Sequence, residues 1–349
     1  MTTTTSPAGP SPTAVPGLTL RPVRWPEEAR TIVDVNNAAR LPAGSLFVMD
    51  VDFLRAHYDH LANSDLAADL RLAEHAGRAV GYCRAEWRDE FRGDRVHDAA
   101  LYLTPDAPVG SFAALLAWVL ARHGEIAAAQ GPIDRPRTLS LATMAEPPGT
   151  RDALAGAGFV AVRFSCEMLR PTLDAIPDLP LPGRVEVRPV GTDQVRRIWE
   201  AEVAAFAGHW GASPDHGSEA AWREFLADPL NAQADLWQVA WAGDEVVGMV
   251  RPFVHAIEND RLGVRRGWCE NISTAASWRG RGIASALICR ALRALRDRGM
   301  TEAALGVDAQ NETGALRLYE KMGFREVARE TEWRRPLELG TGDHGGAAR

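Results

Sequence analysis

The chain has 349 residues, of which 46% are hydrophobic, and its formal net charge is −7. This length suits two domains of about 100 to 200 residues each, and the apolar content allows each of them a substantial core. The 39 basic and 46 acidic residues form no charged block, which argues against nucleic-acid or membrane partners and mildly favours a cationic small molecule.

Residues 1–17 are rich in Thr, Pro and Ser, and this composition predicts a disordered tail. The tail lacks the basic start and apolar run of a signal peptide, and the chain has no run of about 18 consecutive apolar residues, so we expect a cytoplasmic protein. The four cysteines have no Cys-x-x-Cys spacing, which argues against a zinc site and a disulfide framework. We therefore expect reduced cysteines and no metal.

Regular structure is predicted to begin at Leu18, where alternating apolar residues indicate a strand. The Pro-Glu-Glu sequence after Trp25 favours the start of a helix, and residues 70–84 are typical of a hairpin.

Several segments of the first half return in the second half at a nearly constant spacing. Arg-Pro-Val at residues 21–23 recurs at 188–190, and Gly-Phe at 158–159 recurs at 323–324. The repeat predicts two copies of one α/β unit. Their boundaries are a first domain at 18–171, a proline-rich linker at 172–183, a second domain at 184–339, and a disordered tail at 340–349.

The most informative stretch is residues 270–284, which predict a strand, a tight glycine turn and the start of a helix. The first N–H groups of a helix have no partner within it, and the helix dipole favours negative charge there, so such an end binds phosphate. Gly280 and Gly282 let the backbone approach an anion closely, and Arg279 and Arg281 add positive charge. The helix that follows is amphipathic and is expected to end at Gly299.

The sequence Arg-x-x-Gly-x-Ala at residues 279–284 matches the signature of the GCN5-related N-acetyltransferase (GNAT) family, which binds the pyrophosphate of acetyl-CoA in this loop. A second segment, residues 311–324, resembles the family's Asn, small residue, Tyr and Gly-Phe pattern in order and spacing. The resemblance implies an α/β fold with two tandem GNAT domains, each a twisted mixed sheet with helices on both faces. It also implies acetyl-CoA as co-substrate, bound by Ile272, Ser273, Thr274, Arg279, Gly280, Arg281, Gly282, Ile283, Ala284 and Asn311.

The two copies differ where this resemblance places the chemistry. The first copy has Ala107, Pro108 and Val109 at the positions of residues 279–281, Leu154 at the position of Tyr319, and Glu146 at that of Asn311. Since proline has no N–H to offer, the anion site is lost there. We therefore predict that the first copy is non-catalytic, packs on the second copy and forms a wall of the acceptor site. This plan resembles two-copy family members in which the C-terminal copy is active.

Tyr319 and Glu270 are the catalytic candidates that the resemblance implies. In the family, a tyrosine at the place of Tyr319 protonates the leaving thiolate, and several members carry a general base at the place of Glu270. A carboxylate of ordinary pKa, about 4.3, is a poor base for an ammonium group unless burial or a water chain assists it. The alternatives are that Glu270 pairs with Arg265 or Arg266 and that Tyr319 is a core side chain.

Three further residues have predicted roles. Asn311 is expected to be the N-cap of the helix that carries Tyr319 as well as a cofactor contact. His209 and Trp210 interrupt a helical pattern next to glycines and are candidates for the acceptor pocket. The alternative is that Trp210 is a core residue and His209 a surface residue.

The expected function is acetyl transfer from acetyl-CoA to a primary amine of a small molecule, by direct attack in a ternary complex in the C-terminal copy. One alternative is a non-enzymatic protein that binds acyl-CoA for regulation, and the presence of Tyr319 counts against it. The other is an aminoacyl-transferring peptide ligase with two GNAT copies, which generally needs no pyrophosphate loop. The identity of the amine, the acyl chain length and the oligomeric state are open at this point.

Overall fold

The computed structural model of the chain describes residues 15–144, 146–311 and 314–338. The predicted tails lie outside these residues, apart from 15–17. The strands in the described part are β1 (Leu18–Pro22), β2 (Leu70–His75), β3 (Arg78–Asp89), β4 (Arg95–Leu103), β5 (Arg137–Thr143), β6 (Val160–Arg170), β7 (Glu186–Val187), β8 (Gln238–Ala242), β9 (Glu245–Val254), β10 (Arg266–Thr274), β11 (Glu302–Asp308) and β12 (Arg325–Pro336).

The helices in the same part of the chain are α1 (Ala29–Arg40), α2 (Val51–Tyr58), α3 (Leu66–Asp69), α4 (Ser111–Gln130), α5 (Thr150–Gly156), α6 (Val195–Phe206), α7 (Glu219–Ala227), α8 (Ala256–Leu262), α9 (Ile283–Asp297) and α10 (Ala315–Lys321). The predicted strand at Leu18, the helix after Trp25, the hairpin at residues 70–84 and the amphipathic helix before Gly299 are confirmed.

One mixed sheet runs through the whole structure in the order β1-β2-β3-β4-β5-β12-β6-β11-β10-β9-β8-β7. β4 pairs with β5 and β10 pairs with β11 in parallel, and the other neighbours are antiparallel. Helices cover both faces: Tyr82 packs into the core under α1 and α2, while its neighbour Cys83 packs into the core under α4. The predicted α/β fold with a mixed sheet is therefore confirmed.

The last strands of the two halves are exchanged. β6, from the first half, pairs with β11 of the second half, and β12 pairs with β5 of the first half. β6 and β12 also pair with each other at the centre of the sheet. The boundaries 18–171 and 184–339 stay a prediction about the repeat, but in space each half takes its last strand from the other.

The predicted linker at residues 172–183 contains no helix or strand, and it packs along α9. Leu173 is buried in the core of the second half, and Arg290 of α9 donates a hydrogen bond to the carbonyl oxygen of Leu179 at 3.1 Å. The linker thus covers part of a helix surface.

Helix α4 is long and apolar enough, by composition alone, to cross a membrane. In the structure it lies on the sheet of the first half and buries Phe112, Leu115 and Val119 in that core. These apolar side chains of α4 are therefore part of the hydrophobic core of the first half.

Candidate active site

A cleft of about 470 Å³ opens where β10 and β11 separate. These strands pair from Arg266 opposite Glu302 to Trp268 opposite Ala304, and they diverge beyond that point. On the other side of β10 the register with β9 shifts between Glu270 and Ser273, as a β-bulge does. Residues 271–274 therefore present one backbone edge to the cleft, in the place where the family resemblance puts the pantetheine arm of the donor.

Asn271 lies at this bulge with a φ of 52°, which is the left-handed region. A residue other than glycine enters this region at some energetic cost, although Asn does so more readily than most. The bulge turns the following residues toward the cleft, and Asn271 itself lines it.

The predicted phosphate loop has the geometry of an anion site. Gly280 and Gly282 have φ values of 75° and 79°, and Gly282 is the N-cap of α9. Within the described part of the chain, the backbone N–H groups of residues 280–285 donate no hydrogen bond. Several donors at a helix N-terminus are thus free to bind the pyrophosphate of a nucleotide.

Nine of the ten predicted cofactor residues line the cleft, namely Ile272, Ser273, Thr274, Arg279, Gly280, Gly282, Ile283, Ala284 and Asn311. Arg281 lies outside it, because its guanidinium group stacks over the ring of Trp278 at 4.8 Å and donates to the carbonyl oxygen of Ser277. Its role toward a cofactor stays a prediction.

Glu270 lies at the base of the cleft, where its Oε1 accepts a hydrogen bond from the N–H of Gly306 at 2.7 Å. Burial raises the pKa of this carboxyl to about 7, and the nearby Glu167 carboxylate acts in the same direction. The alternative pairing with Arg266 is wrong, since Arg266 donates to Glu302 at 2.9 Å. A carboxyl group with this pKa can accept and release a proton near neutral pH.

Tyr319 projects from α10 into the same cleft and is 6% exposed. Burial, followed by the negative charge of Glu270, raises the pKa of its phenol above the usual value. The hydroxyl group therefore stays protonated at neutral pH and can donate a hydrogen bond or a proton. Its ring packs edge-on against Phe324 at 6.4 Å, which helps to fix its position.

The prediction that Asn311 is an N-cap is wrong. Helix α10 begins at Ala315, and its N-cap is Gly314, whose φ of 75° suits glycine rather than Asn or Ser in their usual capping conformation. Asn311 nevertheless lines the cleft. Asp308 also lines the cleft, and Arg163 of β6 donates to its carboxylate at 2.9 Å.

His209 and Trp210 differ in their position relative to this cleft, although both line a second cavity beside it. His209 lines the cleft, packs against the ring of Phe206 at 4.7 Å, and has a pKa that burial and the charge of Arg279 lower. Trp210 does not line the cleft. Its Nε1 donates to Glu332 of β12 at 2.8 Å and its ring lies under the guanidinium group of Arg334, so contacts with the exchanged strand fix the indole.

Residues that sequence reasoning missed also line the cleft, among them Phe206, Trp278, Gly306 and Leu318. Gly306 had a signal, because an isolated glycine inside an apolar strand marks a place where another group comes close to the backbone. A Cβ at Gly306 would lie 3.5 Å from the carboxylate of Glu270. The other three look like ordinary packing residues in the sequence.

The first half has a cavity of about 340 Å³ beside β4 and β5, but its described residues lack the bulge and the loop of the cleft in the second half. Strands β3 and β4 pair in register from Gly81 to Asp89 without a bulge, and the space next to Phe112, at the start of α4, is only about 20 Å³. In the loop before α4, the N–H of Ser111 donates to the carbonyl oxygen of Pro108, so this N–H is not free to bind an anion. This geometry supports the prediction that the first half is non-catalytic.

Comparisons with known proteins agree with this geometry. Residues 195–324 match the Acetyltransferase (GNAT) family. A mycothiol acetyltransferase from Renibacterium salmoninarum is 31% identical over 191 residues, which cover 51% of this chain and 52% of that relative. A mycothiol acetyltransferase from Geodermatophilus obscurus is 30% identical over 264 residues, covering 74% of this chain and 79% of the relative.

Among solved structures, a GCN5-related N-acetyltransferase from Sphaerobacter thermophilus has the same fold, with a TM-score of 0.68 and 22% identity. The match covers 93% of this chain and 97% of that one, so it includes both halves. The chain therefore belongs to the GNAT family of N-acetyltransferases and contains the family's fold twice.

Proposed function

We propose that the chain transfers the acetyl group of acetyl-CoA to a primary amine of a small molecule, at a single site in its C-terminal half. The observation that carries the proposal is that three kinds of functional group border one cleft. The free N–H groups of Gly280 and of residues 282–285, the Glu270 carboxyl with a pKa of about 7, and the protonated Tyr319 phenol all border it. These are the groups that the reaction requires.

Each group has a chemical task in this proposal. The helix N-terminus and Arg279 hold the pyrophosphate, and the open edge of β10 holds the arm that carries the thioester. Glu270 takes a proton from the ammonium group, directly or through water, so that the neutral amine attacks the thioester carbonyl carbon. The C–N bond forms, the C–S bond breaks, and Tyr319 donates its proton to the departing thiolate.

The experiment is a thiol-release assay of the full chain with acetyl-CoA against a panel of primary amines. We expect release of CoA with at least one amine, and kcat/KM should rise as the pH passes about 7 because Glu270 loses its proton there. In Glu270→Gln this rise should disappear and kcat should fall by about 10²-fold or more. Tyr319→Phe should lower kcat with little effect on the KM for acetyl-CoA.

The control is Glu326→Gln, which removes a carboxylate from a surface pair with Arg329 away from the cleft. It should leave turnover and the pH profile unchanged. Binding of acetyl-CoA without turnover of any amine would contradict the proposal and favour a regulatory CoA-binding protein.

A further inference from the structure

A second cavity, of about 360 Å³, lies next to the donor cleft. The two cavities share three lining residues, Phe206, His209 and Asn271, so they meet at this point. The lining of the second cavity includes Phe91, which belongs to the turn between β3 and β4 of the first half. The first half therefore supplies a side chain to the cavity that adjoins the donor cleft.

The backbone at this turn is firmly anchored to the second half. The N–H of Phe91 donates to the carbonyl oxygen of Ala212 at 3.0 Å. The neighbouring Glu90 is 4% exposed and accepts hydrogen bonds from Arg334 at 2.7 and 3.2 Å. In contrast, the Phe91 ring is 56% exposed, an unusual state for a large apolar side chain on a fixed backbone.

The cavity is largely apolar, and its other rings and aliphatic groups come from α6 and the segment after it. Trp199, Val203, Phe206 and Trp210 contribute, together with Phe91 of the first half. A ligand placed there would cover apolar surface from both halves of the chain.

The described residues that line the cavity include no Lys or Arg, and the guanidinium groups of Arg163 and Arg334 reach it only as partners stacked on the ring of Trp210, at 5.1 and 4.6 Å. Glu202 forms a bidentate pair with Arg251, with distances of 2.6 and 3.0 Å. Burial lowers the pKa of His209 and of His216, so both imidazoles are neutral at neutral pH. The two histidines therefore add no positive charge to the cavity that adjoins the Glu270 cleft.

We propose that this cavity holds the body of the acceptor, that the acceptor is an amine with an aromatic or branched apolar body, and that Phe91 sets this preference. The inference rests on the proposed acetyl transfer, because it assigns the acceptor of that same site. Phe91 is a specificity-determining residue in it, and the first half contributes to the choice of acceptor.

Two measurements on the full chain test the inference, with 2-phenylethylamine as the apolar probe and ethanolamine as the polar one. The first is calorimetric binding of each amine in the presence of CoA, and the second is steady-state thiol release with acetyl-CoA. We expect 2-phenylethylamine to bind more tightly than ethanolamine. Phe91→Ala should raise its Kd and KM about tenfold, with kcat changed much less, since the ring contributes contact rather than chemistry.

Two control variants sharpen the result. Phe91→Leu keeps an apolar group in place and should recover most of the affinity for 2-phenylethylamine. Val109→Ala removes an 88% exposed apolar side chain from the loop of the first half and should change nothing. Ethanolamine should respond weakly to all three substitutions.

Equal affinity for the two amines, or an unchanged Kd in Phe91→Ala, would overturn the inference. Turnover of polar amines without a preference would overturn it while leaving acetyl transfer intact. Tight, Phe91-dependent binding of 2-phenylethylamine without CoA release would support the acceptor cavity and contradict the proposed reaction.

Discussion

Burial raises the pKa of the Glu270 carboxyl and so favours its protonated form. Since this pKa differs between the folded and the unfolded chain, Glu270 also makes the free energy of unfolding depend on pH. Its pKa in the unfolded chain is about 4.3, and in the folded chain it is about 7. Between these values the folded state binds more protons than the unfolded state, so this group's contribution to stability falls as the pH rises through that range. Above pH 7 the folded protein carries a buried charge at a cost on the order of 3 kcal/mol.

We expect Glu270→Gln to be more stable than the wild type at pH 8, with the difference shrinking toward pH 4. Urea unfolding of both proteins at several pH values measures this. Glu326→Gln is the opposite control, because Arg329 lowers the pKa of Glu326 and its removal should destabilise the protein at high pH. A Glu270→Gln protein that is less stable at pH 8 would show that the carboxylate is stabilised there.

Some residue-level features could be predicted from the sequence and others could not. The glycines and arginines at 279–282 form a local pattern with a direct backbone consequence, and the structure has the turn and helix that the pattern indicates. The pKa of Glu270 depends on burial by distant segments, which a local pattern does not contain. The capping role of Asn311 was assigned wrongly because Gly314 lies closer to the helix and takes the N-cap position.

In the proposed reaction, the N-terminus of α9 binds the pyrophosphate of the donor. An alanine at Gly282 would meet no atom within 4 Å, so its effect would come from the left-handed φ of 79°, which costs L-residues about 1–2 kcal/mol. Relief of this strain would reorient the free N–H groups at the helix start. We expect Gly282→Ala to raise the KM for acetyl-CoA about tenfold.

Gly299 offers a matched control at the other end of the same helix. Its φ is 89°, and it too has no atom within 4 Å of an added Cβ. Gly299→Ala should therefore cost similar stability in a thermal melt while leaving the KM for acetyl-CoA unchanged. Equal KM values for the two variants would remove the helix N-terminus from donor binding.

The exchange of β6 and β12 is the element-level feature that the sequence did not predict. Each repeat ends with the same Arg-Pro pair, at residues 170–171 and 335–336. The sequence pattern is therefore compatible with pairing of either strand in either half. Only the strand pairing distinguishes the exchanged arrangement from one in which each half keeps its own last strand. In the structure β6 pairs with β11, and β12 pairs with β5. A repeat in the sequence shows that two units exist, but it does not show which strand completes which unit.

The exchange predicts that the C-terminal half cannot work alone. A fragment of residues 184–349 lacks β6 and leaves the edge of β11 unpaired beside the cleft. We expect it to aggregate or to bind acetyl-CoA weakly in calorimetry, and co-expression with residues 1–183 should restore binding. Full affinity in the isolated fragment would show that the exchanged strand is dispensable.

At the scale of the whole molecule, a buried polar contact joins the two halves beside α8. Nε2 of His255 hydrogen-bonds the carboxylate of Asp50 at 2.7 Å, and Glu258 accepts from the N–H of Val48 at 3.1 Å. Although burial opposes it, the hydrogen bond to Asp50 and the nearby carboxylate of Glu258 raise the pKa of His255 to about 9. The contact between the halves therefore contains a charged imidazole at neutral pH.

Because this pKa is above the unfolded value of about 6.5, the stability from His255 is fully present below pH 6.5 and is lost as the pH rises through 9. We expect His255→Gln to lower the free energy of unfolding at pH 6 by on the order of 3 kcal/mol and by much less at pH 10. Urea unfolding at the two pH values measures the difference. A pH-independent loss would show that the imidazole contributes by packing rather than by charge.

The exchanged strands also constrain the order of events during protein synthesis. β5 leaves the ribosome long before β12, its neighbour in the sheet, so the first half must wait with an open strand edge until nearly the whole chain has been made. Unpaired edges of this kind are sites of aggregation, and contacts between distant parts of a chain form slowly. The first half is thus a late-folding unit although it is made first, and premature termination just upstream of β12 would leave it without its last strand.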